Sequence, residues 1–305
     1  MHPRAFAILL LGTLLALPGC KPRAPAELEG ASTEPATAVR QLARRVHDND
    51  LAGFARDALP PADLARMETA WREGRTRWPL TELPLDNQLL PMLQALSAPG
   101  AEQKLRRGFD RQFANQDRDL RDAARSLGLF GAKYVQQQGD YSQDERRHYP
   151  QVIAALGAWA EDAPLGDPKR AHAAIPPLCA AARKTGLASE TALNQAGLLG
   201  SLQRLGPFLA QVKKGIASYG LDIDRSLADL RTGLVEQNGD QATVRLHYPL
   251  ADAEIDTVVH LQRRDGRWYL AGYLAEADKV AAMETSPSTD PLPSASSAAP
   301  EQVGR

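Results

Sequence analysis

Two hydrophobic periods divide the chain, and they meet near Leu227. Before that point apolar residues recur every three to four positions, the spacing of one helix face. Val39, Leu42 and Val46 begin the pattern, and Asp50 is placed to cap a second segment carrying Leu51, Phe54 and Leu59. Pro61 suits a first helical turn ahead of Leu64, Met67 and Trp71. Further segments carry Leu105/Phe109/Phe113 and Leu120/Ala124/Leu127/Tyr134. Ser142 and Glu145 form a capping-box pair before Tyr149, Val152, Leu156 and Trp159. Asp167-Pro168 opens another helix that Gly186 closes, and Leu202 to Tyr219 forms the last long one. Pro150, Pro176, Pro177 and Pro207 fall inside these patterns, so several short helices are expected rather than fewer long ones.

After Leu227 the period becomes two. Four strands fit, at 231–237, 241–250, 254–264 and 267–274. Asn238-Gly239 and Asp265-Gly266 are hairpin dipeptides, and Asp252-Ala253 is a weaker one. Two-residue loops at these places put Ala242, Val244, Leu246, Tyr248, Ile255, Val259, Leu261, Trp268 and Leu270 on one face. The expected class is therefore α+β: a multi-helical region over 36–227, then a four-stranded antiparallel meander over 228–283, packed on the helices. The opposite sheet face carries Leu234, His247, Val258, His260, Tyr269 and Tyr273 beside Arg245 and Gln262. It is either a ligand or partner surface lined by His247, His260, Tyr269 and Tyr273, or a face covered by helices or loops. The helices-then-sheet order, with the QNGDQATVRL and RRDGRWYL strands, resembles the sheet half of NTF2-like, cystatin-like domains over about fifty residues. That resemblance implies a curved sheet able to hold a ligand.

The N-terminus carries a different message. Arg4 precedes an apolar run from Ala5 to Leu17, interrupted by Gly12 and Thr13. Such a run is the length of a signal-peptide core and shorter than the roughly 20 residues a spanning helix needs. Leu17-Pro18-Gly19-Cys20 follows at once. This leader resembles those of bacterial lipoprotein precursors, in which the Cys is lipidated and becomes the first mature residue. The resemblance implies removal of residues 1–19, lipidation of Cys20 and anchorage in the cell envelope. Pro18 departs from the commoner Ala or Ser, and Lys21 in place of Asp points by analogy to the periplasmic face of the outer membrane. Residues 20–35 then read as the lipidated Cys and a flexible tether, and the Ser/Pro/Ala-rich residues 284–305 as a disordered tail.

Composition narrows the function further. The chain has 305 residues, and 36 Lys+Arg against 37 Asp+Glu give a net charge of −1. A nucleic-acid binder relying on phosphate neutralisation shows an overall basic excess, and with none here no nucleic acid is expected. At 43% hydrophobic and 24% charged residues the chain has material for a core, and its 2 Cys form no disulfide framework. No histidine lies at metal-ligand spacing, and neither a metal nor a cofactor is expected. Cys179 reads as a buried thiol within an apolar helix face. The acidic pairs Asp144-Glu145 and Glu161-Asp162 read as helix-terminal charges, and Asp222/Asp224 lacks an EF-hand continuation. The charged run from Arg106 to Ser126 alternates sign like a solvated helix face. Gly-x-Ser-x-Gly, Walker A and GxGxxG motifs are absent.

The leading expectation is a lipid-anchored cell-envelope protein, held in the membrane through the lipid on Cys20. Its periplasmic domain is non-enzymatic, a binding or accessory unit for an envelope protein partner. Two alternatives stand beside it: an immunity-type lipoprotein neutralising a periplasmic toxin, and an envelope hydrolase acting on peptidoglycan or lipid. The hydrolase requires two carboxylates to converge with a shifted pKa on one of them.

Overall fold

The computed structural model describes residues 32–83, 86–137 and 141–285. The leader, Cys20, the tether as far as residue 31 and the tail from residue 286 lie outside the described residues. The fold is α+β. Among the described residues, ten α-helices come first: α1 (Pro35–His47), α2 (Leu51–Ala58), α3 (Pro61–Arg72), α4 (Asp86–Ser97), α5 (Ala101–Gln112), α6 (Asp117–Gln137), α7 (Gln143–Asp162), α8 (Pro168–Thr185), α9 (Glu190–Ala217) and α10 (Ile223–Ala228). Strands β1 (Arg231–Asn238), β2 (Gln241–Leu250), β3 (Ala253–Arg264) and β4 (Arg267–Leu270) follow, and α11 (Ala271–Thr285) closes the described chain.

Helix starts obey local chemistry. The Asp50 carboxylate accepts from the Gly53 N–H at 2.8 Å, and Asp167 accepts from the Lys169 N–H at 2.8 Å. Ser142 and Glu145 complete a capping box, at 3.2 and 2.8 Å. Each such cap satisfies an orphan amide and contributes about 1 kcal/mol. Gly186, at φ 62°, ends α8 in the left-handed conformation that glycine adopts without steric cost.

The internal prolines do not divide their helices. α7 continues through Pro150, α8 through Pro176 and Pro177, and α9 through Pro207. A proline costs a helix about 3 kcal/mol. Leu202, Leu205 and Phe208 around Pro207 are buried, and burial contributes roughly 1.5–3 kcal/mol for each. The break falls instead at Gly197, where α9 leaves helical geometry at φ 72°, ψ 175°. Three residues on one face of α3 take up the loose backbone groups. Trp71 donates its indole N–H to the Leu193 carbonyl at 2.9 Å, and Arg72 donates to the Gln195 carbonyl at 3.2 Å. On the other side of the break, the Leu199 N–H donates to the Glu68 carboxylate at 3.0 Å. Arg72 in turn pairs with Glu68 at 2.8 Å. The main core closes around this clamp, with Met67, Trp71, Trp78, Leu198, Leu202 and Leu274 buried together.

The sheet is an antiparallel meander in the order β1-β2-β3-β4. Its apolar face holds Ala242, Val244, Leu261 and Trp268 against Ala38 and Val39 of α1. Farther along, Leu250 and Ile255 pack with Ala155 of α7 and Leu221. Two expectations are corrected. A bulge between Leu234 and Glu236 shifts the β1 register, so Leu234 pairs with Val244 and joins the apolar face. The fourth strand stops at Leu270, and Tyr273 lies in α11. Leu274, Ala277 and Val280 are buried at helical spacing there, which overrides the short alternation read as strand. The region expected to be sheet alone thus includes a helix.

Two stretches of the β3–β4 edge are covered. The Trp268 N–H on β4 donates to the carbonyl of buried Ser32 at 3.0 Å, so residues 32–35, expected in the tether, belong to the fold. Short β4 leaves part of β3 without a strand partner, and the Gln151 amide of α7 fills that place. It donates to the Asp256 carbonyl at 3.0 Å and accepts from the Asp256 N–H at 3.1 Å. Buried Lys213 ties three more elements, donating to the Val46 and His47 carbonyls at 3.0 and 2.9 Å and pairing with Asp224.

A Cβ at Gly197 would collide with Glu68 and Arg72 at a φ that disfavours any side chain. Gly197→Ala is therefore expected to lower unfolding free energy by about 1–3 kcal/mol in urea titration. Gly200→Ala, three residues on with free space around it, should leave stability unchanged or raise it.

Candidate functional site

The second face of the sheet is polar and open. From β2 it presents Thr243, Arg245 and His247; from β3, Glu254, Asp256, Val258 and His260, by the alternation of the observed register. Arg245, Glu254, Asp256 and His260 are exposed. Cross-strand pairing sets His247 opposite Asp256, and its two ring nitrogens meet Glu254 at 2.6 Å and Asp256 at 3.1 Å. Arg231 reaches the same Glu254 at 3.4 Å. His260 lies opposite Thr243, with one nitrogen 3.2 Å from the Thr243 hydroxyl and the other 2.8 Å from the Asp144 carboxylate of α7. Hydrogen bonding from His260 and from Arg147 holds the Asp144 carboxyl below the usual carboxylate range. Beside His260, a shallow depression of about 270 Å³ is lined by Glu236, Thr243 and Gln262.

Of the four expected site residues, only the two histidines reach solvent on this face; Tyr269 lies on the same side, paired with Gln262, but is covered, and Tyr273 lies in α11. Tyr269 is 2% exposed and belongs to the main core. The Tyr273 ring packs edge-on between Phe54 and Trp78, at 5.9 and 5.4 Å, and burial pushes its hydroxyl pKa up. Both tyrosines therefore leave the surface. The two histidines stand four residues apart along β2, by way of Thr243, so roughly 13 Å separates them. They mark two ends of a strip and do not converge on one reacting atom. Glu254, Asp256 and Asp144 were missed as their partners. The expected turn at Asp252-Ala253 pairs His247 with Val258, and only the observed turn at Ala251-Asp252 brings Asp256 opposite it; nothing along the chain links Asp144 to His260.

The remaining titratable groups are committed elsewhere. Glu145 closes the capping box, whose backbone N–H holds its carboxyl below the usual range. Glu161 pairs with Arg125 at 2.7 Å, Asp222 caps α10, and Asp224 meets Lys213. Glu82 differs: partial desolvation and the nearby carboxylates of Glu276 and Glu145 raise its pKa. Cys179 is fully buried in α8, and burial raises its thiol pKa, the opposite of what activates a nucleophile. Among the described residues, no group of His, Cys, Asp and Glu is arranged to hold a metal ion, and no helix is long and apolar enough to cross a membrane.

No protein-family model matches the chain, and no match is found among curated proteins or solved structures.

One histidine reports on the contact between α7 and the sheet. His148 sits 2.8 Å from the Tyr248 hydroxyl. Burial lowers the His148 pKa and pushes Tyr248 up to about 12. A depressed histidine pKa means the folded state binds fewer protons, so stability is present above the unfolded value of about 6.5 and is lost as pH falls through the folded one. The urea midpoint should fall on acidification below about pH 6.5, and His148→Gln should flatten that fall. Identical slopes for both proteins would remove His148 from the contact.

Proposed function

We propose that this is a lipid-anchored cell-envelope protein, with acyl chains on Cys20 holding a non-enzymatic binding or accessory domain at the periplasmic face of the outer membrane. The observation that carries the binding role is the polar sheet face: a pleated surface with Arg245, Glu254, Asp256 and His260 exposed, while the opposite face is consumed by the core. Cross-strand polar contacts hold His247 and its carboxylates in fixed positions, which reduces the ordering cost of binding. Mixed charge on such a strip suits a protein surface with complementary charges. The leader supports the anchor. Two or more acyl chains, at about 0.8 kcal/mol per buried methylene, hold where one would exchange.

The hydrolase reading draws on one observation, the raised pKa of Glu82 near Glu145 and Glu276. It is the weaker reading, because Glu145 is already engaged by the α7 cap and Glu82 lies at the surface.

Cys20→Ala should leave the precursor unprocessed and without lipid, read by mass spectrometry; normal maturation of that variant would remove the anchor. For the domain, the chain without its first twenty residues should recover one envelope protein from detergent extract. Arg245→Glu and His260→Ala should reduce that recovery by about tenfold, a loss of roughly 1.4 kcal/mol. Unchanged recovery with both variants sinks the binding face, and release of fragments from purified peptidoglycan would establish the hydrolase instead.

A further inference from the structure

α6 has two apolar faces, and only one of them is used. Ala124, Gly128, Gly131 and Val135 repeat at i, i+4, i+7 and i+11, and this face packs on α7. The approach is close enough that a Cβ on Gly128 would stand 3.8 Å from the Gly157 Cα, and one on Gly131 3.6 Å from the Ile153 side chain. A second stripe runs beside it through Ala123, Leu127, Phe130 and Tyr134 at the same spacing. Leu127 is 70% exposed, Phe130 68% and Tyr134 41%, and the Phe130 and Tyr134 rings stack 6.1 Å apart. Leu129 adds another side chain at 71% exposure. Isolated exposed apolar residues are ordinary; a continuous aromatic and leucine stripe marks a contact surface.

Charge identifies what the stripe meets. Residues 104–133 carry eight Lys and Arg against four Asp, in a chain whose overall charge is −1. From Ala123 to Gln137, along the stripe itself, the charged residues are Arg125, which pairs with Glu161 of α7, and Lys133, with no acid. An apolar stripe on a helix whose neighbouring sequence carries this basic excess matches an anionic bilayer surface, with acyl chains taking the stripe and headgroup phosphates taking cations such as Lys133. We infer that α6 rests on anionic phospholipid, with Leu127, Phe130 and Tyr134 entering the headgroup–acyl boundary. This deepens the membrane reading above but needs no acyl group on Cys20. Eleven residues separate Cys20 from Ser32, a span of at most about 40 Å, so an anchored chain would keep the folded unit close to the bilayer.

The test uses the unlipidated chain without its first twenty residues, a truncation that removes no described residue. It should co-sediment with vesicles of phosphatidylcholine mixed with phosphatidylglycerol, less with phosphatidylcholine alone, and less in high salt. The double variant Leu127→Ser/Phe130→Ser should lose about tenfold in partitioning, with its urea midpoint unchanged because both side chains are exposed. No partitioning of the parent chain, or equal partitioning of the variant, would overturn the inference. So would a parent dimer in sedimentation velocity that the variant lacks, since a second copy would then cover the stripe. Normal processing of Cys20→Ala together with vesicle binding would remove the anchor and leave this inference standing; the reverse pair of results would do the opposite.

Discussion

A helix that stops hydrogen-bonding in its own middle exposes amides and carbonyls that must find partners elsewhere, and α9 finds them in one turn of α3. Leaving such groups buried and unsatisfied costs about 1–3 kcal/mol each. Trp71 and Arg72 serve the carbonyl end of the break and Glu68 the amide end, all from i, i+3 and i+4 positions. Gly197 permits the backbone angle and leaves room for the carboxylate. The clamp fixes the direction in which the second half of α9 travels. That half carries Leu198, Leu202, Leu205 and Phe208 into the core, then Lys213 to the end of α1 and to Asp224 of α10. β1 starts three residues after α10, so the sheet is set on the body by the same chain of contacts.

α7 makes the second set of connections. Its Gln151 amide stands in for a missing strand beside β3, His148 meets Tyr248 on the apolar side, and Asp144 reaches around to His260 on the polar side. One helix thereby protects an edge, closes a core and shapes the open face. β1 differs, with Leu234 and Val235 more than half exposed and a bulge that disturbs its outer ladder. Packing and open surface are divided accordingly: the helical side of the sheet is buried except at Leu234 on β1, and the polar side is open over β2 and β3 but covered at Tyr269 on β4.

Much of this was legible in the sequence, for local reasons. Asp50, Pro61, Ser142, Asp167 and Gly186 work through groups within three residues of themselves, so their roles follow from spacing alone. The β2–β3 register was legible in its faces because a turn displaced by one position, to Ala251-Asp252, shifts the pairing by two and so keeps every side chain on its face. What failed depended on distant partners. Tyr273 alternates convincingly with its neighbours, but Leu274, Ala277 and Val280 find a core only as a helix. The Leu234 bulge and the Gly197 break carry no local signature, because their causes lie in the paired strand and in α3. Of the proposed site, the shared face of the two histidines was readable through the hairpin; the Asp256 pairing depended on the true turn position, and Asp144 comes from an element far away in sequence.

The proposed function depends on the polar sheet face meeting a partner while the chain is in its own envelope. Photo-crosslinking in intact cells tests that directly, with a photoreactive residue replacing Arg245 or Glu254 on the face, or Gln103 on exposed α5. The two face positions should give one adduct of a single common mass, and Gln103 should give none. Adducts absent from both face positions, or equally strong from all three, would contradict a partner-binding face.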